Sequence, residues 1–471
     1  MVDAVESLIA QINSSRDLRI YLSGVNCREC HRVHFHSPWT LEFSTSGRSE
    51  KLAVSIDDIV SVRLMDSSAV IFAMVFPGQW DVSPGACGCG LCHPSKHKDR
   101  LFVSISITGP SIQVLTSLVT ELNVQIFGNA ANSPSKAIVL VNPVSGRGQA
   151  RKEWDKTIEP ILNQCNQFDI SMVRFTEHRN HAFEIVREIF SQSPPTSSDG
   201  LLYIIAVGGD GLVFEIYNGI REAAASANTE TDYRATLSTF LDRVVVCPLP
   251  CGSGNGLCYS TLGNEPFTIN CALRQLIRKK TKRRDLGLVS YRDDDFSGDV
   301  TEKLFSLTIS WGLVADVDIL SEPLRFLGDS RFTIYGLLRV LRKSTYEGIV
   351  KLDNDDTIAP DFLTVYASIV PVAGGTVILS PSKPMDSGKI SVFTLLERDT
   401  SRLDLVDALT ELSKRREHEK FANSLMHANR IEIVPAEQDR GRGAGIVVDG
   451  EPLTRAPVSA VILPKITHCL A

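Results

Sequence analysis

Leu201-Leu-Tyr-Ile-Ile-Ala-Val-Gly-Gly-Asp-Gly211 is the stretch on which the fold turns. An unbroken apolar run from 201 to 207 suits a strand buried on both faces, and the glycines that follow end it in a tight turn. Apolar spacing from Glu215 to Ala225 is helical, so the unit reads as strand, turn, helix.

The same unit recurs on either side. Upstream, Ala137-Ile-Val-Leu-Val141 runs into Asn142-Pro143-Val144-Ser-Gly-Arg-Gly148. Downstream, Arg243-Val-Val-Val-Cys247 runs into Pro248-Leu-Pro-Cys-Gly252-Ser253-Gly254-Asn-Gly256. Helices are expected over 151–163 and 181–190. This alternation predicts an α/β domain over about 136–275 with a mainly parallel sheet. In such sheets ligands bind beyond the carboxyl ends of the strands, where glycines admit a phosphate close to the backbone and helix N-termini attract its charge. Three such turns on successive strands point to a phosphate site. No Gly-Lys-Ser/Thr closes any of them, and no Gly-x-Gly-x-x-Gly fingerprint is present.

Asp210 is the carboxylate inside these turns. Phosphoryl transfer needs positioned phosphates, Mg²⁺ and a group to take the acceptor's proton, and Asp210 is placed for that work. A turn aspartate bonded to its own backbone is the competing reading.

Together, Asn-Pro-x-x-Gly-x-Gly, Gly-Gly-Asp-Gly and Gly-Ser-Gly-Asn resemble the catalytic domain of the diacylglycerol kinase and sphingosine kinase superfamily. The resemblance implies an ATP- and Mg²⁺-dependent lipid kinase with Asp210 as catalytic base and Gly208, Gly209 and Gly211 beside the substrate. By the same resemblance Asn142, Pro143, Val144, Gly252, Ser253 and Gly254 line the nucleotide. Thr176, Glu177, His178, Arg179 and Asn180 join them, in a segment that resembles the family's Thr-Glu-x-x-x-His-Ala turn. Glu215, five residues after Asp210, reaches the nucleotide or the metal, or is a helix-start carboxylate. Near the C-terminus, Asp449, Gly450 and Glu451 resemble the family's terminal Asp-Gly-Glu, which reaches back to the nucleotide.

The stretch from Leu307 to Arg331, with Trp311-Gly and Ala315-Asp-Val-Asp318, resembles sphingosine kinases in particular. It implies that Asp318 binds the substrate's amino group and that Arg325 and Arg331 contact phosphates. A cationic amine in an apolar site needs a carboxylate partner, whereas a diacylglycerol would leave that carboxylate unpaired. A loop ion pair is the alternative for Asp318. The expected reaction is transfer of the γ-phosphate of ATP to the primary hydroxyl of sphingosine or a related long-chain base. The alternatives are a ceramide or diacylglycerol kinase and, from another class, a membrane-recruited scaffold with an inactive kinase fold.

From about 285 to 471 strands dominate, Leu304–Trp311 among them, with helical stretches near 332–343 and 403–417. This predicts a C-terminal antiparallel β lipid-binding domain. Residues 1–130 read as strands closed by a helix over 112–126, a mainly-β module similar in pattern to a pleckstrin-homology domain. A small polar segment, 129–135, links it to the rest.

Apolar residues make up 43% of the chain and charged residues 22%, which excludes a wholly disordered protein. The net charge of −6 argues against nucleic acid as a partner. The first residues have no signal-like pattern, so the expected location is cytoplasmic with peripheral membrane association. Arg278-Lys-Lys-Thr-Lys-Arg-Arg284 either attracts an anionic leaflet or is a solvated linker. Cys27, Cys30, Cys89 and Cys92 have zinc-ligand spacing, against the alternative of reduced loop cysteines.

Overall fold

The computed structural model describes, before residue 134, strands at 19–23, 28–36, 40–45, 51–52, 59–65, 68–75, 80–81 and 101–108, residues 58, 110 and 111, and the helix at 112–127. From 134 on it describes all residues except 197, 228–232, 293–298, 322–334, 337–338, 341, 354–355, 359–360, 375–376, 412–423 and 441–442. The proposed zinc ligands lie outside the described residues or on a strand whose side chains are not described. Arg325 and Arg331 also lie outside. Among the described residues no helix is long and apolar enough to cross a membrane.

The chain forms two compact units: 1–137 with 152–171 and 264–280, and 138–151 with 172–263 and 281–471. In the first, six antiparallel strands run in the order 40–45, 28–36, 19–23, 101–108, 68–75, 59–65. Helix Ile112–Phe127 follows them. It buries Leu115, Leu118, Leu122 and Ile126, whose spacing puts them on one face. Each such side chain contributes about 1.5–3 kcal/mol by leaving water.

The basic run begins in this unit, at the end of helix Ile269–Arg278. Arg278 is buried and donates to Ile59 O at 3.0 Å. Lys279 caps the helix in the left-handed region and reaches Ser135 Oγ at 3.3 Å. These two residues are internal parts of the unit. A single solvated linker from 278 to 284 is therefore not what forms.

The second unit has two large sheets. The first passes through Leu202–Gly208 and Val244–Pro250, paired in parallel from Leu202↔Val244 to Gly208↔Pro250. It continues through Val458–Leu470 to Arg430–Pro435 and Gly348–Leu352, and Thr281–Tyr291 also pairs with 458–470. The last strand of the chain therefore joins the sheet that carries the glycine turns. The second sheet is antiparallel, in the order 425–428, 390–396, 362–368, 308–312, 446–448, 451–454. Strands after 281 are thus shared between both sheets.

Where one strand was expected over Leu304–Trp311, there are two, Thr301–Phe305 and Thr308–Gly312. The break at Ser306–Leu307 follows from the capture of its amides by Asp449, described below. Helix Asp210–Ser226 is tied to the first of these strands by buried Asn218, which donates to Leu304 O at 3.0 Å and accepts from Leu304 N at 3.0 Å.

Candidate active site

The turn after Leu202–Gly208 delivers Asp210 as the first residue of helix Asp210–Ser226, with Gly209 extended before it. The turn after Val244–Pro250 runs through Gly252 to Asn255 and opens helix Gly256–Leu262. The two turns touch backbone to backbone. A Cβ at Gly252 would lie 2.3 Å from Gly209 Cα, and one at Gly254 would lie 2.8 Å from Asp210 Oδ2. Only glycine permits this approach.

Asp210 Oδ2 accepts from Gly256 N at 2.8 Å, and Oδ1 accepts from Leu257 N at 3.3 Å. Its bonds thus run to another turn and not to its own. Burial pushes the Asp210 carboxyl up to about 6; the two amides oppose this, and the charges of Asp449 and Asp318 reinforce it. A carboxyl so placed is mostly ionised at neutral pH, yet takes up a proton more readily than an ordinary aspartate.

The first turn contributes Asn142, whose amide donates to Val207 O at 3.0 Å and whose Oδ1 accepts from Val144 N at 3.2 Å. Pro143 is half-buried, and Val144 is 77% exposed. Buried Thr176 donates its amide to Val141 O at 2.8 Å, which sets the segment 176–180 beside that turn. Glu177 N donates to His181 Nδ1 at 3.0 Å, and His178 stacks on His181 with ring centroids 4.6 Å apart.

Glu215 lies one and a half turns along its helix. It accepts from Asn180 N at 3.0 Å and Ala182 N at 3.1 Å, so both oxygens cap helix His181–Gln192. Burial raises its carboxyl above the ordinary range. Arg179 and Glu451 form an ion pair. A Cβ at Gly211 would lie 3.5 Å from Glu451 Oε1, so the C-terminal hairpin meets the Gly-Gly-Asp-Gly turn at this point.

Asp449 and Gly450 form the tip of that hairpin, both with positive φ (49° and 81°). The Asp449 carboxylate turns into loop 306–308. Oδ2 accepts from Ser306 N at 2.7 Å and Ser306 Oγ at 3.1 Å, and Oδ1 accepts from Leu307 N and Thr308 N at 2.9 Å each. Burial raises its carboxyl and the four donors oppose the rise. Fully buried Arg284 reaches the same loop, donating to Ser306 O at 2.7 Å.

On helix Leu313–Leu320 the two aspartates of Ala-Asp-Val-Asp part company. Asp316 is buried and bound by Arg339, Tyr346 Oη and, at 2.7 Å, Ala444 N. Asp318 is half-buried, and its Oδ2 lies 3.9 Å from where a Cβ of Gly450 would be. Its charge is felt by Asp210 and by Tyr366.

Two site residues were not anticipated. Asn255 accepts from Gly252 N at 2.9 Å and donates to Gly252 O at 2.6 Å, which shapes the third turn. Asparagine before a helix-opening glycine was the available signal. Tyr366 bonds the Thr308 side chain, and its hydroxyl is raised by burial and by Asp318, Asp449 and Asp210. It sits on a wholly buried strand, Phe362–Ser368, and nothing local marks it.

Residues 136–289 match the model of the diacylglycerol kinase catalytic domain. Over those residues the chain is similar to that domain. Among its curated relatives, sphingosine kinase 1 of Arabidopsis thaliana is 28% identical over 369 residues, covering 68% of this chain and 69% of the relative. Sphingosine kinase 1 of Homo sapiens is 33% identical over 225 residues, covering 46% and 51%. The matched region thus spans about half of the human relative's length. Among solved structures, a putative diacylglycerol kinase from Bacillus anthracis str. Sterne aligns with a TM-score of 0.48 at 17% identity, over 71% of this chain and 97% of that one.

Proposed function

We propose that this protein transfers the γ-phosphate of ATP to the primary hydroxyl of sphingosine or a related long-chain base. The observation that carries the reading is Asp210: a half-buried carboxylate at the meeting of two glycine turns, held by two helix-opening amides and raised to about 6. A base in that range serves proton transfer near neutral pH better than an ordinary aspartate. Asp210 takes the proton of the acceptor hydroxyl while that oxygen bonds to phosphorus and the bond to the leaving diphosphate breaks.

Asp318 would pair with the ammonium group of the base. The mutual repulsion of Asp210, Asp318 and Asp449 supports this, because a cation among them relieves it. Buried Leu313, Tyr366, Phe393, Leu395 and Leu405 cluster on the antiparallel sheet and supply apolar surroundings for an alkyl chain. The glycine turns, residues 176–180, Arg325 and Arg331 would hold the nucleotide. Glu215 and Asp449 would serve it by holding other segments in place, since their oxygens are engaged by backbone amides. Mg²⁺ is a hard cation that takes carboxylate and phosphate oxygens, and the acidic set around Asp210 fits it. When bound, it neutralises charge on the phosphate oxygens.

The substrate is an amphiphile, so we place the reaction at a membrane surface, with the N-terminal module, pleckstrin-homology-like in pattern, as a docking element. Of the basic run, Lys280, Lys282 and Arg283 are exposed, and Arg283 pairs with Asp242. The test is labelled-phosphate transfer from ATP to sphingosine, ceramide and diacylglycerol side by side. Product from sphingosine alone is expected. Faster turnover of either neutral lipid would overturn the assignment to long-chain bases.

A further inference from the structure

Segment 380–389 leads into strand Ile390–Leu396 and is tied down by Asp285. Asp285 N donates to Met385 O at 2.8 Å, and its carboxylate accepts from Gly388 N at 2.7 Å and Lys465 N at 2.8 Å. Over this segment lies a recess of about 340 Å³. Ser380, Ser382, Lys383, Ser387, Lys389 and His427 line it, with Leu425 as the apolar member. No carboxylate lines it among the described residues.

Lys383 is the key group. Its ammonium donates to Ser368 O at 3.0 Å. That uses one of three donors, and among the described residues it has no second acceptor. Its neighbouring opposite charge is Asp285, whose two oxygens are taken by the backbone amides above. Burial brings Lys383 down to about 8. It is a half-buried cation short of counter-charge, and an anion would restore what burial removes. Behind it, buried Ser380 bonds Ser391 at 3.2 Å, and Ser391 bonds His427 Nδ1 at 3.2 Å, which links the recess walls.

We infer that this recess binds a phosphate-class oxyanion, either free or as a lipid headgroup. The lining offers the ammonium groups of two lysines and the hydroxyls of three serines, a donor set that suits a tetrahedral anion with acceptors on all sides. A planar carboxylate is better matched by an arginine fork, and among the described residues no arginine lines the recess. The site is separate from the glycine turns and needs none of their residues.

Amine acylation followed by peptide mass spectrometry reads the site directly, because a lysine near 8 is reactive at neutral pH. With the full chain, saturating inorganic phosphate should slow labelling of Lys383 about fivefold relative to chloride at equal ionic strength. Labelling of exposed Lys465, paired with Asp386, should not change. Lys389→Gln, which leaves the Ser368 contact intact, should abolish the protection. Equal slowing by chloride, no slowing by phosphate, or full protection in Lys389→Gln would each overturn the inference. Vesicles of phosphatidylcholine with and without phosphatidic acid separate the sources. Protection by phosphatidic acid vesicles as well as phosphate assigns a headgroup, and protection by phosphate alone assigns a free anion.

Discussion

Two carboxylates, Asp449 buried and Asp210 half-buried, sit in two glycine-bearing turns of the second unit, and they are bonded in different ways. Asp449, at the tip of the C-terminal hairpin, accepts four hydrogen bonds from residues 306–308 and has no room for chemistry. Asp210, in the Gly-Gly-Asp-Gly turn, accepts two, the second of them long, and remains raised to about 6. The difference lies in how fully each charge is solvated by the protein. A saturated carboxylate fastens the segments that donate to it, while an under-solvated one is held at some cost to stability and is suited to the base role proposed for Asp210.

The sharpest way to break this comparison is to remove each charge. Asp210→Asn should lower kcat by roughly 10²–10⁴ with the fold intact by circular dichroism. Near wild-type turnover would remove Asp210 from the chemistry. Asp449→Ala should behave inversely. It leaves three buried amides unpaired and should cost about 3 kcal/mol or more in urea unfolding, at about 1–3 kcal/mol per unsatisfied group. Turnover per folded molecule should fall much less than in Asp210→Asn.

Asp318→Asn probes the half-buried carboxylate near both turns. Loss of one charge-assisted bond to the amine, worth roughly 1.5–3 kcal/mol, should raise the sphingosine KM by about 10–100-fold and leave the ATP KM unchanged. A shift in the ATP KM instead would put Asp318 at the nucleotide.

The pH dependence sharpens the contrast further. Because the folded-state value of Asp210 lies above its ordinary 3.8, its contribution to stability is full below that value and is lost as pH rises through about 6. Asp210→Asn should therefore gain stability relative to wild type as pH rises from about 4 to above 6. Activity should fall on the acid side with an apparent value near 6, and Asp318→Asn should move that limb to lower pH. An acid limb at the ordinary aspartate value would contradict the burial argument.

The smallest effect is expected in the basic run. Lys280→Gln with Lys282→Gln, both exposed, should change stability by less than about 0.5 kcal/mol, whereas Arg284→Met should destabilise strongly because it frees the Ser306 carbonyl. Equal effects would mean that burial does not divide the run.

The strands at 137–141, 201–207 and 243–247 and the glycines after them were legible because both signals are local: an apolar run and the residues that end it. Asp210 was legible for the same reason. The helix after the first strand was expected from 151 and instead starts at Ser145, within the expected glycine turn, and the helix Gly256–Leu262 was not anticipated. What escaped besides was everything decided across the chain. Asp316 and Asp318 look equivalent as letters on one helix, yet Arg339, Tyr346 and Ala444 claim the first and leave the second beside Gly450. The strand expected over 304–311 was divided by Asp449, more than 140 residues further on. Arg284 looked like one member of a charged run and is fully buried.

By itself, then, the sequence determined the buried strands of the α/β part, where glycine lets two turns close on each other, and that an aspartate stands among those glycines. Hydrophobic period and backbone freedom are properties of neighbours in the chain, and they can be read there. Only the tertiary structure decided which carboxylates are surrounded by amides and which are raised by burial beside other carboxylates. Solvation of a buried charge depends on donors that arrive from distant segments, and those donors are brought together only when the sheets assemble.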